Sequence, residues 1–346
     1  MASDPAEAAN AVFAFAVGAA RYSATGTLID CYFPAPHLRP PAPLDAAICA
    51  HFAAGANPIS ADQLRGFEAA VGADQHLANS CRELAAGAAP LVAVRLDADI
   101  DIGHTAEAYL KLHLLSHQLT LPNSLNLNNL FTHLPNVAWT SDGAIAIDEL
   151  APAQQRARLA GRHLEVYSVD KFPRMTNYVV PPGVRIADAS RIRLGAYLGD
   201  GTTVMHEGFV NFNAAALGPN MIEGRISQGV IVGAHTDLGG SSSTMGTLSG
   251  GGSIRITIGE NCLIGANAGT GIPLGDRCTI EAGLYITAGT RVVVLDDAGR
   301  PVQEIRAREL AGASDLLFIR NSTTGQVECR TNRKAIELNE LLHAHN

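Results

Sequence analysis

Three glutamates have neighbours that suit them to chemistry. Glu207 in MHEGF, Glu223 in MIEGRIS and Glu281 in IEAGLY are each followed by glycine or alanine, so a ligand can approach each carboxylate closely. A carboxylate held on a rigid frame serves proton abstraction or covalent attack; the plainer reading of each one alone is a solvated surface acid. Arg225 follows Glu223 by two residues, which places the pair on one face of an extended chain. A guanidinium there would grip a substrate carboxylate through two parallel N–H bonds. Other constellations are weaker. Asp97, Asp99 and Asp101 alternate in LDADIDIG like the start of a calcium loop, but Ile102 stands where such a loop needs glycine and Ala108 where it needs glutamate. The polar face of a strand is the better account. His113 and His117 stand four apart on a helical pattern, yet glutamate does not follow His113 and no third zinc ligand is evident.

Something must hold these carboxylates still, and the sequence around them repeats every six residues. Ile186, Ile192, Leu198, Val204, Val210, Ala216 and Ile222 keep the beat, which slips once and resumes at Ile226, Val232 and Leu238, then at Ile258 and Ile264, and again at Leu274, Ile280, Ile286 and Val292. Glycine often follows the aliphatic residue, as at Gly233, Gly239, Gly259, Gly265 and Gly275. This is the period of a parallel β-helix. Three hexads close one triangular coil, coils stack about 4.8 Å apart, and one aliphatic side chain per face points inward. Glycine is expected at corners that require positive φ.

The chain is otherwise that of a globular protein. It has 346 residues, 47% hydrophobic and 17% charged, with 34 glycines and a net charge of −8. That charge argues against nucleic acid or an anionic membrane as partner. Six cysteines without CxxC spacing read as reduced thiols, and no apolar stretch reaches the length of a membrane span. The opening MASDPAEAANAVFAFAVGAA carries Asp4 and Glu7 where a secretory signal would be basic, so it reads as a first helix, and the protein as cytoplasmic. Residues 1–183 form an N-terminal α/β domain in this reading, closed by Pro181-Pro182-Gly183. The β-helix covers 184–295, with a glycine-rich loop protruding at 239–257. Residues 296–346 form a C-terminal extension with a basic segment, suited to a phosphate-bearing ligand, and a final helix at AIELNELLHAHN.

The runs VMHEGFVNFNAAALGPNMIEGRISQGVIVG, GGSSSTMGTLSGGG, LIGANAGTGIPLGDRCTIEAGLYITAGTRV and LLFIRNS resemble the tetrahydrodipicolinate N-succinyltransferases, in their longer actinobacterial and pseudomonad branch. The resemblance implies a left-handed β-helix, a homotrimer, and succinyl transfer from succinyl-CoA to the amine of L-2-amino-6-oxopimelate in diaminopimelate and lysine synthesis. It makes Glu223 the catalytic carboxylate, described for the family both as an acyl-anhydride nucleophile and as a general base. Gly246 would offer its backbone N–H to the developing oxyanion. Succinyl-CoA would contact Arg225, Gly240, Ser243, Ala266, Glu281, Ala282, Gly289, Arg306, Arg320, Asn321 and Ser322. The family's threefold-axis magnesium would fall to Glu207, although the second aspartate of its RIADAD motif is Ser190 here. Two alternatives keep the fold: a transferase of another acyl group with His206 or His235 as base, and a non-enzymatic trimer scaffold. A γ-type carbonic anhydrase would need three zinc-bound histidines, and the solenoid has two.

Overall fold

The computed structural model describes residues 12–247 and 254–331. It divides into two compact units, one of residues up to 120 together with 124–173, the other of 121–123 together with 174 onward. The division precedes Pro181-Pro182-Gly183, because the chain is already tied to the second unit. Met175 N–H donates to Ile192 O at 2.9 Å, and Arg174 bridges Arg193.

In the first unit the expected opening helix is instead a strand, Ala14–Tyr22. It lies inside an antiparallel sheet ordered Leu28–Tyr32, Ala14–Tyr22, Leu91–Leu96, Gly55–Ile59. A strand covered on both faces is apolar throughout, which erases the alternation that would have marked it. Phe15, Val17 and Ala93 pack against Ile48, Leu64, Phe67 and Leu77 from the helices Ala42–His51, Ala61–Ala70 and Gln75–Ala86, and against Phe52 just past the first of them. The helix Thr105–Ser116 is buried from Ala106 onward. Its His113 donates from Nδ1 to Tyr109 O at 2.8 Å and accepts from Phe33 N–H at Nε2, 3.2 Å away, so neither nitrogen is left for zinc. The three aspartates also differ from expectation. The strand ends at Leu96, and the loop beyond it uses each carboxylate as a tie. Asp97 pairs with Arg95 at 2.8 Å, Asp99 accepts from the buried Lys111 Nζ at 2.7 Å, and Asp101 accepts from the amides of Asn126 and Asn128.

In the second unit very short strands fall into three parallel sheets in rotation. One holds Ala196–Leu198, Ala214–Ala216, Ile231–Val232 and Thr257–Ile258. The second runs from Arg185–Ile186 through Thr202–Val204, Asn220–Ile222, Asp237–Leu238, Leu263–Ile264 and Thr279–Ile280 to Leu316–Arg320. The third holds Phe209–Val210, Arg225–Ile226, Ser243–Thr244, Gly269–Thr270 and Tyr285–Ile286. Register stacks the six-residue positions over one another: Val204, Ile222, Leu238, Ile264 and Ile280 form one column, Leu198, Ala216, Val232 and Ile258 another. Apart from the half-buried Ile186 every aliphatic member of the beat is buried. Thr244 and Thr270 fill the beat's gaps in the third column, also buried, because their hydroxyls close corners: Thr270 Oγ1 donates to Ile272 O, and Thr244 Oγ1 accepts from Ser227 N–H.

The glycines that follow the inward aliphatic serve a different purpose from the one expected, while others at the corners serve the expected one. Left-handed backbone at the corners is shared between the expected glycines, Gly195, Gly201, Gly218, Gly229 and Gly283, and the non-glycines Asn213, His235, Ser241, Asn261, Asn267 and Arg277, whereas Gly233, Gly239, Gly259 and Gly265 lack positive φ. They are glycine because the next coil is too close. A Cβ on Gly239 would lie 2.7 Å from Ala266 N, and one on Gly265 2.5 Å from Ala282 N. The glycine-rich excursion also starts later than read, since Ser243–Thr244 is a rung of the third sheet and Thr247 still bridges Arg255. Past Val292 the extension is a strand pair, Arg291–Leu295 with Pro301–Arg306, and a hairpin of Leu316–Arg320 with Val327–Thr331. The expected final helix lies outside the described residues.

Two outcomes follow from this packing. Ile222→Ala removes a fully buried member of an inner column and is expected to cost about 2–5 kcal/mol in a urea unfolding measurement. Burial holds His113 near 3 and His117 near 4, below the ordinary 6.5, so the unfolded chain binds protons that the folded one refuses. Their contribution is complete above pH 6.5 and is lost as pH falls, down to about 4 for His117 and about 3 for His113. His117→Phe, which removes a buried Nε2 without a partner, should flatten the fall in urea midpoint across that range.

Candidate active site

Each passage from the second sheet to the third turns one corner, and these corners stack into a ridge. Glu207, Glu223, Gly240, Ala266, Glu281 and Ala282 all fall on it, in successive coils. At Glu223 the corner is two residues shorter than elsewhere, with Ile222 and Ile226 as its inward ends, and this is the slip seen in the beat. Glu223 is fixed through its backbone, whose N–H donates to Leu238 O at 2.8 Å. It is half-buried on the corner while Arg225 is exposed on the strand beyond, so the two do not share a strand face as expected. Above them Gly240 leaves a space. A Cβ there would stand 3.5 Å from Glu223 Oε2 and 3.6 Å from Glu207 Oε2, so two carboxylates from neighbouring coils reach one point.

Beside that point is a cavity of about 390 Å³ bordered by Asp188, Arg191, His206, Glu207, Gly224, Arg225, Ser241 and Ser242. Arg191 is built into its wall, donating from Nη2 to Glu207 O at 2.8 Å and from Nε to Gly208 O at 3.3 Å, with its guanidinium carbon 5.8 Å from the Phe209 ring centre. Arg225 Nε donates to Ser243 Oγ at 3.0 Å, and Ser243 Oγ lies 3.2 Å from Tyr285 Oη. Asp188 accepts from both the hydroxyl and the N–H of Ser190, which hold its carboxyl below the usual range, helped by Arg191 and Arg174. The cavity therefore offers fixed cationic groups beside a pair of acids.

The remaining expected residues lie elsewhere on the unit. Gly246 and Gly289 follow strands of the third sheet and so occupy the next corner. The strands of Arg225 and Ser243 are parallel neighbours, so Glu223, before one, and Gly246, after the other, stand at opposite ends of the same sheet. One chain does not bring them together. Arg306 reaches the Gly289 corner, since Ala307 and Arg308 donate their N–H groups to Thr290 O and Ala288 O. Arg320 is linked to the first ridge by its N–H on Glu281 Oε2 at 2.7 Å. Asn321 turns inward to its own hairpin, with its Oδ1 accepting from Thr323 and Thr324 N–H and its Nδ2 donating to Glu328, while Ser322 is exposed.

His206 borders the cavity, whereas His235 occupies a left-handed corner of the coil and does not. Among the described residues no three His, Cys, Asp or Glu side chains gather to hold a metal ion. For the implied magnesium, one chain supplies Glu207, whose Oε2 also lies 3.5 Å from Ser241 Oγ, and Ser190 stands where a second carboxylate was due. Sequence reasoning missed Arg191 and Ser242. Arg191 was findable, because Ile192 points inward and the flanking arginines of RIRL must then face out. Ser242 had no such signal within its run of serines.

Stacked hexads in three-sided coils are the architecture of hexapeptide-repeat acyltransferases, and residues 255–288 match a family model described as the hexapeptide repeat of succinyl-transferase. Residues 134–174 match another, tetrahydrodipicolinate N-succinyltransferase middle. Relatives named 2,3,4,5-tetrahydropyridine-2,6-dicarboxylate N-succinyltransferase are 55% identical in Pseudomonas aeruginosa, over 97% of this chain and 99% of that one, and 53% identical in Vibrio cholerae, over 97% and 100%. A Campylobacter jejuni structure with a provisional assignment as a 2,3,4,5-tetrahydropyridine-2-carboxylate N-succinyltransferase aligns at a TM-score of 0.85 and 28% identity, over 94% of each chain. The chain belongs to the tetrahydrodipicolinate N-succinyltransferase family. Among the described residues no helix is long and apolar enough to cross a membrane.

Two glycines of the site should respond oppositely to alanine. At Gly240 the added Cβ makes only ordinary contacts, so Gly240→Ala should melt like the parent yet lose most activity by filling the space between the carboxylates. At Gly224 it would collide with Ser242 Oγ and stand 2.7 Å from Ser242 O, so Gly224→Ala should lower the thermal midpoint by several degrees.

Proposed function

We propose that this chain moves the succinyl group of succinyl-CoA to the amine of L-2-amino-6-oxopimelate, opened tetrahydrodipicolinate, in the cytoplasm. The relatives' shared name supports the reaction. The observation that carries the site is the meeting of Glu223 and Glu207 at Gly240, beside the arginines of the cavity. Two carboxylates favour a cation, and the acceptor arrives as an ammonium ion. Glu223 takes one proton from that nitrogen, which then attacks the thioester carbon. The N–C bond forms, the carbonyl electrons move to oxygen and return, the C–S bond breaks, and the second proton lost by the nitrogen passes to the departing CoA thiolate, giving the amide and the thiol. Gly246 N–H faces the transient oxyanion, a donor worth about 3 kcal/mol of barrier. This reading favours Glu223 as base over Glu223 as nucleophile, because the paired acids suit the amine.

Glu223 and Gly246 cannot serve one thioester from a single chain, so the site is made between neighbouring left-handed, three-sided β-helices of a homotrimer. Succinyl-CoA lies along the groove, with Gly240, Ala266, Glu281, Ala282, Arg225, Ser243 and Arg320 from one copy and Gly289 and Arg306 from the next. Asn321 and Ser322 stand near the Arg320 end. No step passes through magnesium.

Glu223→Gln is expected to lower kcat by about 10²–10⁴-fold with the KM for succinyl-CoA unchanged. A normal turnover would remove the assignment, and equal rates with acetyl-CoA and succinyl-CoA would remove the succinyl-specific pocket. His206→Asn should retain most activity; its loss would favour the histidine-based alternative.

A further inference from the structure

Ser242 carries a hydroxyl that the proposed chemistry does not use. The residue is 2% exposed, and its Oγ is one of a few buried side-chain polar atoms among the described residues with no hydrogen-bond partner. A buried hydroxyl left unpaired is destabilising, so folding alone would favour alanine here. The backbone does not call for serine either. Ser242 N–H donates to Gly239 O and its carbonyl accepts from Arg225 N–H, each at 2.9 Å, bonds that any residue would make. The hydroxyl lies against Gly224, the neighbour of Glu223, in space that a side chain on Gly224 would fill. Ser242 also borders the cavity that holds Arg191 and Arg225.

The geometry points to Ser242 as a binding residue for a carboxylate of the acceptor, with Arg191 as its fixed positive partner. Rotation about one side-chain bond turns the hydroxyl from Gly224 toward the cavity. There it donates to an anion, and the unpaired atom acquires its partner. Arg191 suits the same anion because two of its nitrogens are anchored on the Glu207 and Gly208 carbonyls and its plane rests near Phe209, so its charge is held at the cavity wall. The acceptor's ammonium group goes to Glu223 and Glu207, and one of its carboxylates lies on the cationic side. This rests on the reading above, in which the acceptor is an amino dicarboxylate.

The test is Ser242→Ala in the intact enzyme, with an amino-dicarboxylate acceptor and its mono-amides compared in wild type and variant. The expected result is a rise of about 10- to 100-fold in KM for the dicarboxylate, the range for losing a hydrogen bond to a charged group. The KM for succinyl-CoA and kcat should stay unchanged, the thermal midpoint should be unchanged or higher, and the preference for the dicarboxylate over one of the mono-amides should shrink by the same factor. Calorimetric binding of the dicarboxylate gives the same comparison without turnover. An unaltered dicarboxylate KM, or a lowered thermal midpoint as the only effect, overturns the inference while the proposed function stands. If wild type transfers nothing to any amino dicarboxylate, that function fails and this inference fails with it.

Discussion

One side chain in six must point inward, and most of the second unit follows from that constraint. An inward aliphatic on every face forces the chain to turn at fixed intervals, and parallel register between coils puts each turn over the last. The corners become ridges whose residues are far apart in sequence and adjacent in space. Glu207 and Glu223, sixteen positions apart, reach the same point because both occupy one corner of successive coils. The backbone carries this precision, so the side chains at the ridge are free to be chemical.

Close stacking also decides which residues the corners tolerate. Glycine after the inward aliphatic is a matter of clearance to the next coil, and the left-handed turns are shared by other glycines, such as Gly201 and Gly229, with asparagine, histidine, serine and arginine. Where the column admits Thr244 and Thr270, the hydroxyl replaces apolar packing with a bond that shapes the corner. Both threonines lie in the third sheet, between the ridge of Glu223 and the corner of Gly246. The polar interruptions therefore fall where the geometry of a site matters.

Much of this was legible before any coordinates. The six-residue beat named its own inward residues, and the slip between Ile222 and Ile226 marked the short corner that holds Glu223. What the sequence hid has physical causes. Ala14–Tyr22 reads like a helix because burial on both faces removes alternation. The aspartates of LDADIDI look like a strand face until Lys111 and two asparagines from distant loops claim them. Arg225 could not be placed on a strand with Glu223 without knowing where the corner falls. The resemblance gave Gly246 and Glu223 roles in one reaction without saying whether one chain supplies both, and only the parallel register of their strands shows them at opposite ends of a sheet.

That separation carries the central proposal, that each catalytic centre is shared by two copies. The direct measurement mixes two proteins each expected to be inactive, Glu223→Gln and Gly289→Trp, the second chosen because a Cβ at Gly289 has open space around it in its own chain. After subunit exchange at equal amounts, about a quarter of the sites in a threefold ring would combine an intact Glu223 corner with an intact Gly289 corner. Recovery of about that share of wild-type activity is the predicted result; a mixture that exchanges subunits yet stays inactive would contradict it.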